Sequence, residues 1–198
     1  MLDKKVPYAG LYMRREPGVP VPPCPLPEGY RFSLYRDGDE SDWARIEASV
    51  LEFSGDFAAL LFFKEKFMPY ACELYKRCLF IENSGSEKVA TATAWWSDID
   101  GGRRAWLQWV GVDPQHQGLG LGKAIIARAT EMLAEIYGEA PLFLKTQTWS
   151  YKAIGIYLAC GYRPTDEKCL YTNRKDNYKK ALRILGRIGG LDCFVRSQ

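Results

Sequence analysis

The stretch Val110-Gly111-Val112-Asp113-Pro114-Gln115-His116-Gln117-Gly118-Leu119-Gly120-Leu121-Gly122-Lys123 decides how this chain of 198 residues is read. Before it, Ala105 to Val112 reads as a strand. After it, Ile125, Ile126, Ala129, Met132, Leu133 and Ile136 recur at helical spacing until Gly138 ends the pattern. Strand, glycine loop and amphipathic helix in that order make an anion site. Free N–H groups at a helix start converge on one point, the macrodipole adds positive charge there, and glycines remove the side chains that would block approach. A pyrophosphate fits. Glycine costs about 1 kcal/mol per internal helix position relative to alanine, so a ligand explains Gly118, Gly120 and Gly122 better than a loose connection does.

Two nucleotide patterns miss this loop on spacing. A P-loop requires glycine five positions before Gly122 and Ser or Thr after the lysine, where Gln117 and Ala124 stand. The dinucleotide pattern G-x-G-x-x-G would end on Lys123 or on Ile125. Its context is a parallel βαβ unit, whereas the upstream runs read as an antiparallel meander. These are Cys78 to Glu82, Lys88 to Trp96 and Ala105 to Val112, separated by Asn83-Ser84-Gly85-Ser86 and Asp98-Ile99-Asp100-Gly101-Gly102, whose Asn, Asp and Gly suit tight connections.

Further upstream, Tyr30, Phe32 and Leu34 alternate with polar residues as a first strand, and Trp43, Ile46 and Val50 follow at helical spacing. Pro69 should split the apolar stretch from Phe57 to Arg77 into two short helices. Residues 1–29 hold seven of the eleven prolines and suit an extended arm rather than packed secondary structure. Downstream, Pro141 to Thr148 reads as a strand, Tyr151 to Cys160 as a short helix and Glu167 to Thr172 as another strand. Residues 173–198 form a basic extension in which Arg174, Lys175, Lys179, Lys180, Arg183 and Arg187 spread round an apparent helix, the pattern of a solvated face.

A formal charge of +3 and 47% apolar residues fit one globular domain and exclude general disorder. The longest uncharged stretch, Pro17 to Pro27, is too short and too rich in proline to cross a bilayer, and no signal-peptide core precedes Arg14 and Arg15. The expected location is the cytoplasm, with no membrane partner. Six cysteines without a C-x-x-C pair, and His116 as the single histidine, give no zinc or iron-sulfur pattern, so no metal is expected. Cys72 and Cys160 read as small hydrophobes, and His116 as a surface residue. Adjacent Trp95 and Trp96 should point to opposite faces of their strand.

The loop resembles the acyl-CoA loop of the GCN5-related N-acetyltransferase (GNAT) family, Q/R-x-x-G-x-G/A, filled here by Gln117, Gly118, Leu119, Gly120, Leu121 and Gly122. A second element of that family, N-x-x-A-x-x-x-Y-x-x-x-G-F/Y, is met by Ser150, Ala153, Tyr157, Gly161 and Tyr162, with serine in place of asparagine. The resemblance covers roughly residues 30–172 and implies a mixed α/β (α+β), mostly antiparallel central sheet flanked by helices, with a splayed strand pair forming the acyl-CoA cleft. It implies acetyl-CoA as acyl donor, held by backbone groups at Val110 and Val112, by the N–H groups of Gly118 to Lys123 and by Ser150. It implies an N-acetyltransferase that moves acetyl to a primary amine by direct attack in a ternary complex. Tyr157 would be the general acid, and a backbone N–H near Val110 would stabilise the oxyanion.

The resemblance leaves the base open. Many members place a glutamate on the strand before the loop, and Gln108 cannot serve. Glu47, Glu52, Asp98 and Asp100 stand as candidates, with the acceptor pocket expected from residues 40–77 and 160–198. The missing glutamate keeps a second reading alive, a catalytically weak acyl-CoA-binding sensor or scaffold. The basic tail raises a third, nucleic-acid binding, though no base-reading motif supports it. The acceptor amine, small molecule or peptide, is not named by the sequence, and a homodimer stands open as an assembly.

Overall fold

The structure is a computed structural model that describes residues 2–173 and 175–188; Arg174 of the basic extension and Cys193, one of the six cysteines, lie outside them. The strands are β1 (Gly10–Arg15), β2 (Tyr30–Leu34), β3 (Cys78–Asn83), β4 (Lys88–Ile99), β5 (Gly102–Val112), β6 (Leu142–Gln147) and β7 (Arg163–Pro164). The helices are α1 (Glu40–Ser49), α2 (Asp56–Lys66), α3 (Ala71–Arg77), α4 (Leu121–Tyr137), α5 (Tyr151–Ala159) and α6 (Tyr178–Leu185). Pro69 is the second residue of a 3₁₀ turn, Met68–Tyr70, between α2 and α3, so the expected split occurs there. No helix among the described residues is long and apolar enough to cross a membrane.

The seven strands form one sheet in the order β2-β3-β4-β5-β6-β1-β7. Every pairing is antiparallel except β5 with β6. Side-chain alternation on β4 sorts the two layers. Ala90, Ala92 and Ala94 face the cluster that holds α4, α5 and α6, and their small size lets α4 lie close to the sheet; Phe80 and Trp95 face the cluster of α1, α2 and α3. Trp96 breaks the alternation. Its ring stacks on that of Trp95 with centroids 4.1 Å apart, both buried, under the guanidinium groups of Arg77 and Arg103.

The N-terminal arm departs from its expected form. Its prolines fall outside Gly10–Arg15, and that segment is a buried strand inserted between β6 and β7. Gly10 lets the strand lie against Asp176, whose carboxylate a Cβ at this position would overlap. Buried Arg15 is satisfied by the carbonyls of Cys160 and Val19. The strand expected over Glu167 to Thr172 is absent. The chain pairs only Arg163–Pro164 with β1, then enters a 3₁₀ turn over Lys168–Leu170, with Glu167 drawn to Arg14 and Arg104 at 2.9 Å each. Cys160 is buried as expected, but Cys72 is exposed, because the seven-residue α3 buries only Leu74.

Candidate active site

Strands β5 and β6 pair over Ala105–Leu107 and Leu142–Leu144 only, then diverge. The cause on β5 is a bulge. Thr93 of β4 faces Gln108, yet Thr91 faces Gly111, so Trp109 and Val110 have no partner on β4. Trp109 takes a left-handed backbone, φ 51°, unusual for a large side chain, and its ring is wedged against Phe53, Phe62 and Trp43 at 4.8 to 5.6 Å. The cleft so opened holds two adjoining cavities that share Glu52, Val110, Ser150 and Ala153.

The first cavity lies over the start of α4 and is lined by Val110, Val112, His116, Gln117, Gly118, Gly120, Leu121, Gly122, Lys123 and Ser150, among others. Gly118 and Gly120 have φ of 84° and 86°, the left-handed region that glycine reaches without strain. The N–H groups of Gly118, Leu119, Gly120, Leu121 and Gly122 donate to no acceptor among the described residues. Lys123 N–H differs, since it donates to the Gly120 carbonyl at 3.0 Å. The Gln117 amide donates to the Val112 carbonyl at 2.9 Å and ties the loop to β5. Leu119 is half-exposed and does not line the cavity. His116, expected on the surface, is half-buried on the cavity wall, with Nδ1 2.9 Å from the Tyr30 hydroxyl.

The second cavity is lined by Glu47, Glu52, Trp106, Gln108, Trp109, Val110, Lys145, Gln147, Ser150 and Tyr157, among others. The Tyr157 hydroxyl has no hydrogen-bond partner among the described residues, and burial pushes its pKa up, so the phenol stays protonated. Gln108 is committed to the Trp96 carbonyl at 2.9 Å. Glu47 is 0% exposed, with neither carboxyl oxygen hydrogen-bonded, and its pKa is raised well above the carboxylate range by burial first and by Glu52 second. Glu52 is also raised by burial, against the Gln147 amide at 3.3 Å and Lys4, which pull it down.

Local backbone chemistry brings Glu47 and Glu52 together. At the end of α1, Glu52 N–H donates to the Glu47 carbonyl and Leu51 N–H to the Ala48 carbonyl, with Leu51 left-handed at φ 70°. This is the Schellman arrangement, closed by leucine where glycine is usual. It returns the sixth residue of the motif beside the first. Asp98 and Asp100 line neither cavity. Of the two segments expected to supply the acceptor pocket, residues 40–77 give Glu47 and Glu52, whereas among the described residues 160–198 line neither cavity. The rest of the acceptor-side wall comes from β5, β6 and the segment Ser150 to Tyr157 that opens α5. Sequence reasoning did not single out Lys145 or Gln147 for this site, because each belongs to a strand pattern with no motif of its own.

Comparisons with known proteins agree with this fold. A GCN5-related N-acetyltransferase from Sphaerobacter thermophilus superposes with a TM-score of 0.63 at 18% identity, over 81% of this chain and 49% of that one. One from Kribbella flavida gives 0.50 at 24%, over 78% and 53%. One from Ralstonia eutropha JMP134 gives 0.53 at 22%, over 70% and 95%. At such identities the likeness is one of fold, and this chain spans about half the length of the first two. No curated protein matches the sequence. The profile of the Acetyltransferase (GNAT) family matches residues 41–162, a span that runs from α1 through the glycine loop to Tyr162 of the second motif, and the chain belongs to that family.

Proposed function

We propose that this protein is an N-acetyltransferase that moves acetyl from acetyl-CoA to a primary amine by direct attack in a ternary complex. The observation that carries the proposal is the set of five uncommitted N–H groups from Gly118 to Gly122 at one end of a cleft whose other end holds Tyr157 and two carboxyls. Those donors suit a pyrophosphate. Val110, on the bulge where the cavities meet, turns its backbone N–H to the acyl carbonyl. Ser150, whose hydroxyl caps nothing, takes the place of the asparagine of the family motif. Tyr157, protonated at working pH, supplies the thiolate with its proton.

Thermal unfolding with acetyl-CoA, CoA, ATP and NAD at equal concentration tests the donor site. Ligand at about 100 times its dissociation constant adds roughly 2.7 kcal/mol, a midpoint rise of about 5 to 10 °C for a chain of this size. The rise is expected with the two CoA species alone. Thiol release with an amine panel then separates transfer from binding. Tyr157→Phe is expected to slow release by about 10²- to 10⁴-fold while keeping the rise with acetyl-CoA. A wild-type protein that is stabilised by acetyl-CoA but releases no thiol with any amine would be a sensor or scaffold instead.

A further inference from the structure

The charges of the second cavity identify the class of acceptor, on the footing of the acyl-transfer reading above. Three charged side chains line it: Glu47, Glu52 and Lys145. Lys145 is already matched, with Nζ 2.6 Å from Asp176 Oδ2 and 5.1 Å from the centre of the Tyr12 ring, and Asp176 also accepts from the Tyr12 hydroxyl. It has no charge to spare for an acceptor's carboxylate. The two glutamates are in the opposite condition. Both oxygens of Glu47 are buried and unpartnered, and Glu52 meets only the Gln147 amide. Among the described residues, the groups that act on them from neighbouring elements are Cys78 of β3 toward Glu47, Tyr157 of α5 toward both, and Tyr8 and Lys4 of the N-terminal segment toward Glu52; burial pushes the pKa of Tyr157, Cys78 and Tyr8 up. Lys4 itself packs over the Trp149 ring.

A dry, unpartnered carboxyl is costly, and it is complementary to a group that brings N–H donors and positive charge. Trp106 and Trp109 add ring faces and edges to the same wall, which suit an alkyl chain with a cationic end. We infer that the acceptor is an alkyl diamine or polyamine, a primary ammonium on a chain that bears a second positive charge and no carboxylate, with Glu52 seating the distal charge at the mouth and Glu47 taking the reacting nitrogen's proton. The step balances. Glu47 acts as the carboxylate, the form that the incoming positive charge favours: the ammonium gives it one proton, and the nitrogen bonds to the acyl carbon as the carbon–sulfur bond breaks. The sulfur leaves with the Tyr157 hydroxyl proton, the nitrogen's second proton restores Tyr157, and Glu47 returns its proton to water.

Three acceptors of one skeleton test this: 1,4-diaminobutane, ornithine, which adds a carboxylate, and n-butylamine, which lacks the second charge. The wild-type protein is expected to favour 1,4-diaminobutane over each of the others by about tenfold or more in kcat/KM. Glu52→Gln, in the loop after α1, is expected to raise KM for the diamine about tenfold with kcat little changed, and to erase its advantage over butylamine. Glu47→Gln is expected to lower kcat by about 10²- to 10⁴-fold and to remove the acid limb of the pH profile, with the acetyl-CoA stabilisation kept as proof of folding. If ornithine or butylamine serves as well as the diamine, or if Glu52→Gln leaves KM unchanged, this inference falls while acyl transfer stands. If acetyl-CoA neither stabilises the wild-type protein nor yields thiol with any amine, the acyl-transfer reading falls and takes this one with it.

Discussion

Both ends of the cleft depend on left-handed backbone, and they obtain it from opposite kinds of residue. Over the start of α4 it is supplied by Gly118 and Gly120, at φ of 84° and 86°. At the acceptor end it is supplied by Leu51 and Trp109, at 70° and 51°. The difference follows from what each region must present. The donor end offers backbone N–H groups, so a side chain there would stand where the ligand belongs. The acceptor end is a wall of side chains, so Trp109 keeps its ring and is held against its backbone preference by Phe53, Phe62 and Trp43. The unmet polar groups differ in the same way. The free N–H groups belong to an exposed loop, Gly118–Gly120, and to the first two residues of α4, at the edge of an open cavity, whereas the Glu47 oxygens are buried without a partner.

The largest effect is expected where glycine is replaced. Nothing stands within 4 Å of a Cβ on Gly120, so Gly120→Ala meets no clash and is strained by its φ alone, at about 1 to 2 kcal/mol. The methyl also intrudes on the donor surface. Unfolding should show a midpoint lower by roughly 2 to 8 °C and loss of most of the rise with acetyl-CoA. A full rise with acetyl-CoA would mean that this loop does not cradle the ligand.

Trp109 supplies a pair of variants whose order is informative. Trp109→Ala should cost about 2 kcal/mol, less than a fully buried tryptophan, because the ring is only half-buried. Trp109→Gly loses the same ring and also sheds the left-handed strain. The glycine variant should therefore be the more stable of the two by about 1 kcal/mol in urea, the reverse of the order within a helix or strand. If alanine proves the more stable, the bulge is relaxed and the proposed contrast between the two ends disappears.

Glu47 gives a pH test of the dry end. A carboxyl whose folded pKa lies above its unfolded value favours the folded state fully below the unfolded value, near 4.5, and that contribution is lost as pH rises toward the folded value. Stability of the wild-type protein should fall over that window by more than that of Glu47→Gln. Parallel urea midpoints from pH 5 to 8 would show that Glu47 carries no raised pKa.

The two ends were also unequally legible. Glycine spaced by twos before an amphipathic helix is visible in the letters, and so are the meander, Pro69 and the positions of Ser150 and Tyr157 in their motif. The resemblance to a known family added the splayed strands. What the letters withheld was long-range. The Gly10–Arg15 strand reads as part of a proline-rich arm, because its partners, β6 and β7, lie more than a hundred residues away. The choice of Glu47 and Glu52 over Asp98 and Asp100 needed the bend after α1 and the depth of the cavity, neither of which is a local pattern.

That bend gives the smallest expected effect and the finest test of the comparison. Leu51 is half-exposed, so its side chain contributes little burial, while its left-handed backbone costs about 1 to 2 kcal/mol. Glycine would remove that strain and return part of the gain as unfolded-chain entropy. Leu51→Gly should thus be more stable by about 0.5 to 1 kcal/mol, with a midpoint raised by roughly 1 to 4 °C. The two hydrogen bonds that close the motif are backbone bonds and survive the change, so Glu47 and Glu52 keep their places, and neither the acetyl-CoA stabilisation nor the acceptor KM should move. A loss of stability would show that the Leu51 side chain, rather than the backbone motif, holds the bend, and the acceptor end would then rest on packing at this position as it does at Trp109.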